Sequence, residues 1–110
     1  VTVLPQPSDE RFNSSNYCLG MVLDQGAAYK RPAIMEALGK KGIGTSIYYP
    51  QPVPRMTYYK LKYGYEEKKF LNATAISDGI IALPVGPHLE LSDMDYIIKA
   101  IEEVWSEMNV

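Results

Sequence analysis

The sequence predicts an α+β fold, in which a small three-stranded, mainly antiparallel or mixed sheet has helices packed on one face. First, three segments of strand character alternate with three of helical character along the 110 residues. Second, the last helical segment carries an apolar stripe that must lie on a sheet: Met94, Ile97, Ile98, Ile101, Val104, Trp105 and Met108. Third, the strands are short, which favours antiparallel or mixed pairing over a parallel sheet with long crossovers.

Length and composition limit the function classes. A chain of 110 residues fits one domain. The net charge is −2, and the lysines between residues 60 and 69 are mixed with tyrosines and glutamates, so nucleic-acid binding has little electrostatic support. Cys18 is the only cysteine, which excludes an intrachain disulfide and agrees with a reducing, cytoplasmic compartment. No apolar run is as long as a membrane span, so we expect no membrane partner. From the charge pattern we expect no nucleic-acid partner.

The first half of the chain contains two predicted strands and one helix. Residues 1–15 are rich in proline and small polar residues and predict an extended connector. Residues 16–23 predict a strand that is apolar or small on both sides. A helix is expected to start between residues 28 and 31, where a proline suits the first turn, and to end at Gly42 after two lysines. Residues 43–49 predict the second strand.

Three prolines at alternate positions follow the second predicted strand: Pro50, Pro52 and Pro54. Each proline fixes φ and removes a backbone donor, so no sheet ladder can continue through them. The sequence therefore predicts a stiff, extended loop, with Tyr48 and Tyr49 at its start and Arg55 just beyond it. A stiff loop at a strand end is a plausible place for contacts with a ligand or another domain.

The second half of the chain contains the remaining elements. Residues 56–65 predict a short helical or irregular excursion that includes four tyrosines. Residues 67–78 predict a helix, and residues 80–83 predict the third strand. The last helix is marked by a capping box, in which Ser92 is followed three residues later by Asp95.

These residues alone do not support self-contained catalysis. The pair Gly42-x-Gly44 precedes a strand, whereas a phosphate-binding glycine loop opens a helix. His88, the only histidine, has no second histidine or cysteine to share a metal ion, so no metal site is predicted. It fits a loop histidine bonded to backbone better than a catalytic group. The tyrosines between residues 48 and 65 allow three interpretations: packing at the rim of the core, stacking on a ligand, or a partner surface.

Two stretches of the sequence resemble the C-terminal segment of the DegT–StrS family of sugar aminotransferases. They read RPAIMEALGKKGIGTSIYYPQPVP at residues 31–54 and FLNATAISDGIIALPVGPHLELSDMDYIIKAI at residues 70–101. The resemblance covers about residues 17–104 and implies the small domain of a pyridoxal-phosphate enzyme with the aspartate-aminotransferase-like fold. It implies that residues 16–110 are this small domain, and that residues 1–15 connect it to a large domain outside this chain.

The resemblance also implies which parts of the enzyme do the chemistry. In the family, the large domain carries the cofactor-bound lysine and most phosphate contacts, so no catalytic residue and no cofactor ligand is expected in this chain. Pyridoxal phosphate is expected in the full-length enzyme and not on this chain alone. The full-length enzyme would be a homodimer that transfers an amino group from a donor such as glutamate to a keto-sugar nucleotide in cell-envelope polysaccharide biosynthesis. The sugar, the donor and a related dehydratase activity stay open.

The family's small domain forms one wall of the active-site cleft, and the loop after its second strand approaches the substrate. The family often has histidines at the positions of Tyr48 and Pro54, whereas Tyr49 matches the family pattern. The resemblance thus implies Tyr48 and Tyr49 as substrate-binding candidates, with Arg55 as a cation for a phosphate or carboxylate and His88 as a further candidate. The alternative is a free-standing α+β module whose tyrosine-rich segment binds a partner protein.

Overall fold

The computed structural model describes residues 1–5 and 8–109, so residues 6 and 7 of the predicted connector and residue 110 of the predicted domain lie outside the described residues. Within them, three strands and four helices follow in the order β1 (Thr2–Val3), β2 (Leu19–Val22), α1 (Arg31–Lys40), α2 (Thr57–Tyr63), α3 (Leu71–Gly79), β3 (Ile80–Leu83) and α4 (Leu91–Met108). Single 3₁₀ turns precede α1, α2 and α3 at Ala28–Lys30, Val53–Arg55 and Glu67–Lys69. The predicted α+β fold is confirmed.

The sheet is antiparallel, and β2 is its central strand. Thr2 of β1 lies opposite Val22 of β2, and Met21 of β2 lies opposite Ile81 of β3. None of the helices in the described part of the chain is both long and apolar enough to cross a membrane.

The hydrophobic core lies between one face of the sheet and the helices α1 and α4. Its buried members are Met21, Leu23, Ile34, Leu38, Ile43, Ile81, Leu83, Ile97, Ala100 and Val104. The odd-numbered residues of β2 and β3 share this face because side chains alternate along a strand. The buried residues of α4 are three and four positions apart, as the predicted stripe requires. Ile98, which the stripe also included, is exposed.

The prediction of a second strand at residues 43–49 is wrong, because this segment makes a single bridge to the sheet. Ser46 and Ala82 exchange both backbone hydrogen bonds, at 3.1 and 2.8 Å, on the outer edge of β3. The next antiparallel rungs would need backbone N–H groups two residues away on β3. Pro84 has no N–H, and Ile80 donates its N–H to the carbonyl of Ile76 in α3. The bridge therefore cannot grow into a strand.

The third strand instead comes from the N-terminal segment. Thr2 and Val3 pair with the other edge of β2, and the N–H of Leu4 donates to the carbonyl of Gly20 at 3.1 Å. Sequence analysis predicted only an extended connector at residues 1–15 and did not find this strand, because two residues are too few to show the alternation that marks a strand. That the segment leads to a further domain stays a prediction.

The capping box of α4 lies two residues earlier than predicted. The side chain of Glu90 accepts from the backbone N–H of Asp93, and Asp93 Oδ2 accepts from the N–H of Glu90 at 2.8 Å. Ser92 and Asp95 instead lie inside the helix. The sequence contains both pairs at the same spacing, and the extended backbone of Glu90 (φ −96°, ψ 170°) selects the earlier one.

The other helices and strands lie close to their predicted positions. β3 has the predicted bounds, and the helical interpretation of residues 56–65 is confirmed by α2. The helix predicted over residues 67–78 is divided, because Phe70 is non-helical (φ −128°, ψ 45°) and separates a 3₁₀ turn from α3.

Candidate functional site

The proline segment, residues 50–54, forms one wall of an open cleft. Pro52 is buried and extended (ψ 147°), and the 3₁₀ turn that begins at Val53 follows it directly. The other wall comes from Phe70 and from Ala73, Ile76 and Ser77 of α3. The cleft has a volume of about 940 Å³. Because each proline restricts the backbone, the first wall is stiff.

The cleft is strongly apolar. Among the described residues that line it, none has a charged side chain, and the polar groups are limited to hydroxyls and one amide: Tyr48, Tyr49, Gln51, Thr57 and Ser77. A concave apolar surface of this size with few polar groups is typical of a ligand site or of a surface that another protein part covers.

Three tyrosine rings lie together at the start of the proline segment. The Tyr17 and Tyr48 rings stack with their centroids 6.0 Å apart and their planes at 23°, and the Tyr49 centroid lies 5.8 Å from that of Tyr48. The neighbouring phenols of Tyr49 and then Tyr48 raise the pKa of Tyr17, because a second phenolate there would be repelled. Tyr48 and Tyr49 are 41% and 66% exposed, so both side chains are partly accessible to solvent.

Tyr17 was not among the predicted site residues. The sequence placed it in a strand, whereas in the structure it lies two residues before β2, and its ring stacks on that of Tyr48, 31 positions later in the chain. Both residues also line a smaller cleft of about 210 Å³, so Tyr48 lies between the two clefts.

Arg55 makes a two-pronged ion pair with Asp78. Nη1 donates to Oδ1 at 2.6 Å, and Nη2 donates to Oδ2 at 3.0 Å. These hydrogen bonds from Arg55 hold the pKa of Asp78 below its ordinary value, although burial opposes the shift. Sequence analysis predicted Arg55 as a substrate contact and did not single out Asp78. The binding of a substrate anion by Arg55 stays a prediction. In the structure, the guanidinium group instead binds the carboxylate of Asp78 in the same chain.

A second arginine stabilises the end of α3. Arg31 Nη1 donates to the carbonyl of Ser77 at 2.7 Å. Unpaired carbonyls at a helix C-terminus favour cations, so this contact stabilises the helix end that carries Asp78.

A second row of aromatic rings extends from α2 to the cleft. Its members are Tyr58, Tyr59, Tyr63, Tyr65 and Phe70, with successive centroids 5.1 to 6.3 Å apart. Phe70 lines the cleft, whereas Tyr58 and Tyr63 are exposed. The tyrosines between residues 48 and 65 therefore fall into two separate groups, and the aromatic row that begins on α2 fits either ring packing or a partner surface.

The structure does not bring His88 to the cleft. It is exposed in the loop before α4 and is not among the residues that line the cleft. A Cβ built on Gly86 would lie 2.6 Å from Cε1 of His88, so the glycine makes room for this ring in the turn.

The cleft lining lacks the cationic side chains that bind a cofactor phosphate, and the described residues lack a cluster that could hold a metal ion. The cleft lining includes no lysine, arginine or histidine that would bind a phosphate or form an imine with a cofactor carbonyl. In the same described part of the chain, no group of three His, Cys, Asp or Glu side chains is placed to hold a metal ion.

Comparison with known proteins gives consistent matches. The sequence profile of the DegT/DnrJ/EryC1/StrS aminotransferase family matches residues 1–102. The spore coat polysaccharide biosynthesis protein SpsC of Bacillus subtilis is 30% identical over 103 residues, which are 93% of this chain and 26% of SpsC. An uncharacterized protein of Methanocaldococcus jannaschii, MJ1066, is 30% identical over 77 residues, which are 70% of this chain and 20% of that protein.

A solved structure shares the fold. The aminotransferase PseC of Helicobacter pylori, which is involved in the biosynthesis of pseudoaminic acid, superposes with a TM-score of 0.73 over 86% of this chain, at 21% sequence identity. The match covers 24% of PseC. This chain thus spans about a quarter or less of the length of these relatives.

Proposed function

The chain belongs to the DegT/DnrJ/EryC1/StrS aminotransferase family, and we propose that it is the C-terminal small domain of a pyridoxal-phosphate-dependent aminotransferase that acts on keto-sugar nucleotides. The observation that supports this most directly is the open apolar cleft, on a chain that spans about a quarter of the length of its relatives. The names of SpsC and PseC, which refer to polysaccharide and sugar-acid biosynthesis, support a sugar substrate.

In this proposal the chain supplies one wall of the active site and is not catalytic alone. Tyr48 and Tyr49 face the substrate, where a phenol can donate to a sugar hydroxyl or a phosphate and a ring face can pack on a sugar. Arg55 contributes through its ion pair, as argued below, and a substrate contact by His88 stays a prediction. The family uses pyridoxal phosphate, and the groups that would hold it are proposed to lie in a large domain of the same protein.

The other partners follow from the same proposal. Residues 1–15 would lead from the large domain, the large domains would form a cytoplasmic homodimer, and an amino acid such as glutamate would be the donor. No nucleic acid is expected, since the net charge is −2.

The experiment compares the complete reading frame that contains this sequence with the 110-residue chain alone. We expect the complete protein to show pyridoxal-phosphate absorbance and to transfer an amino group from glutamate to a keto-sugar nucleotide, whereas the chain alone should do neither. An upstream segment without a Ser-x-x-x-x-Lys type lysine, or transamination by the chain alone, would contradict the proposal.

A second candidate is a free-standing module that binds a protein partner. Three exposed apolar side chains of α2 favour it: Tyr58, Leu61 and Tyr63. A reading frame that starts with a methionine at or near Val1 would support this candidate over the aminotransferase.

A further inference from the structure

The ion pair between Arg55 and Asp78 joins the two walls of the cleft. Arg55 ends the 3₁₀ turn Val53–Arg55, which overlaps the end of the proline segment, and Asp78 is in the last turn of α3. The two nitrogen–oxygen distances, 2.6 and 3.0 Å, show that the planar guanidinium meets the carboxylate with both prongs. Such a pair fixes orientation as well as distance.

Both residues of this ion pair lie in segments that are themselves held in place. Three prolines stiffen the segment before Arg55, so a restraint at its end is transmitted along the whole wall. Arg31 holds the carbonyl of Ser77, next to Asp78, so the other end of the link is also fixed.

We propose that Arg55 is a positioning residue, which acts through Asp78 to set the separation of the two cleft walls. The identity of the ligand, a keto-sugar nucleotide, rests on the proposed function. The effect of the ion pair on the shape of the cleft does not depend on that function. A direct role in binding a substrate anion is less consistent with this geometry, since the carboxylate of Asp78 beside the guanidinium would repel a phosphate.

The chain contains a matched ion pair away from the cleft. Lys41 Nζ lies 2.7 Å from Glu103 Oε2 and joins the end of α1 to α4. The side chains of this pair are 26% and 46% exposed, against 27% and 44% for Arg55 and Asp78. Glu103→Gln therefore removes an equally exposed carboxylate without touching a cleft residue.

The methionines provide a reporter of the cleft in the chain itself. Met56 lines the cleft, whereas the other four methionines lie in the core or pack against it: Met21, Met35, Met94 and Met108. A carbon–proton correlation spectrum of the chain labelled at the methionine methyl groups thus separates the cleft from the core. It needs neither a substrate nor catalytic activity.

The test uses Asp78→Asn, Arg55→Lys, the double variant and Glu103→Gln. We expect Asp78→Asn to move the Met56 peak by more than its linewidth while the four core peaks keep their positions. Arg55→Lys retains the charge but loses the two-pronged contact, so Met56 should move as well. The shift of the Met56 peak in the double variant should be smaller than the sum of the two single shifts, because both changes break the same ion pair.

Three results would overturn the proposal. In the first, Met56 stays within its linewidth in Asp78→Asn or moves equally in Glu103→Gln. In the second, all five methyl peaks move together, which would indicate a general loosening. In the third, the double variant gives the sum of the two single shifts. None of these depends on whether the complete protein is an aminotransferase, so the two proposals fail separately.

Discussion

The core side and the cleft side of this small domain are built in different ways. On the core side, α1 and α4 cover the sheet with fully buried residues such as Ile34, Leu38 and Val104. On the cleft side, the residues that line the cleft leave apolar side chains open, and the Arg55–Asp78 ion pair joins the segments that form its two walls. We therefore expect stability to be concentrated on the core side, while the open apolar surface lies on the cleft side.

The largest expected effect tests where stability lies. Leu38 on the core side is 0% exposed, whereas Leu61 on α2 is 82% exposed. Leu38→Ala should lower the free energy of unfolding by about 2–5 kcal/mol, because it leaves a cavity. Leu61→Ala should change it by less than about 0.5 kcal/mol. Chemical denaturation followed by circular dichroism measures both, and similar losses would remove the distinction between the two regions.

The second effect concerns Gly79, where α3 meets the sheet. A Cβ built there would lie 2.6 Å from the carbonyl oxygen of Leu23, whereas one on Gly39 of α1 would meet nothing within 4 Å. Gly79→Ala should destabilise the chain by about 1–3 kcal/mol through overpacking. The matched variant Gly39→Ala should stabilise it by up to about 1 kcal/mol, since alanine favours a helix. If Gly79→Ala also stabilised the chain, the close approach of residue 79 to the carbonyl oxygen of Leu23 would not be a restraint.

The third effect tests the cleft side in the complete protein. If Arg55 acts through Asp78, Asp78→Asn should raise KM for the sugar nucleotide about tenfold, equivalent to about 1.4 kcal/mol, with a smaller change in kcat. Glu103→Gln on the core side should leave KM unchanged. A fall in KM for Asp78→Asn would mean that Arg55, released from Asp78, binds the substrate anion directly.

The smallest effect is the pH dependence of the Arg55–Asp78 pair. The pKa of Asp78 in the folded state lies below its ordinary value of about 3.9. The ion pair therefore stabilises the fold above that pH, and this contribution is lost as the pH falls through the folded-state pKa of Asp78. Because the pair is partly exposed, the contribution should be about 1 kcal/mol or less. Thermal unfolding of the wild type and Asp78→Asn should differ at pH 7 and converge near pH 2. A difference that grows in acid would contradict the sign of the shift.

The sequence predicted the core side better than the cleft side, for physical reasons. The stripe of α4 recurs at helical spacing and β3 is a continuous apolar run. β3 has the predicted bounds, and α4 begins two residues earlier than predicted. The segment at residues 43–49 also has strand character, but its pairing fails because of the residues opposite it on β3. Local patterns do not contain that information.

In the candidate site, too, local sequence predicted some residues and missed those that only the fold brings together. Tyr48, Tyr49 and the prolines were predicted from local sequence and from family resemblance, and they lie together on one cleft. Tyr17 and Asp78 were missed because they are 31 and 23 residues distant from their partners, Tyr48 and Arg55. A carboxylate late in a helix has no special signal of its own, and only the fold brings it to the arginine.

The single rung between Ser46 and Ala82 also bears on how copies of this chain behave towards one another. An exposed strand edge with a row of free donors and acceptors can recruit a strand from another molecule and start aggregation. Here Pro84 has no N–H and the N–H of Ile80 is already bonded to Ile76, which limits pairing along the outer edge of β3. The opposite edge of the sheet is the two-residue strand β1. Within the described residues, neither edge offers a long template, so strand addition is a poor route to self-association even while the apolar cleft stays open.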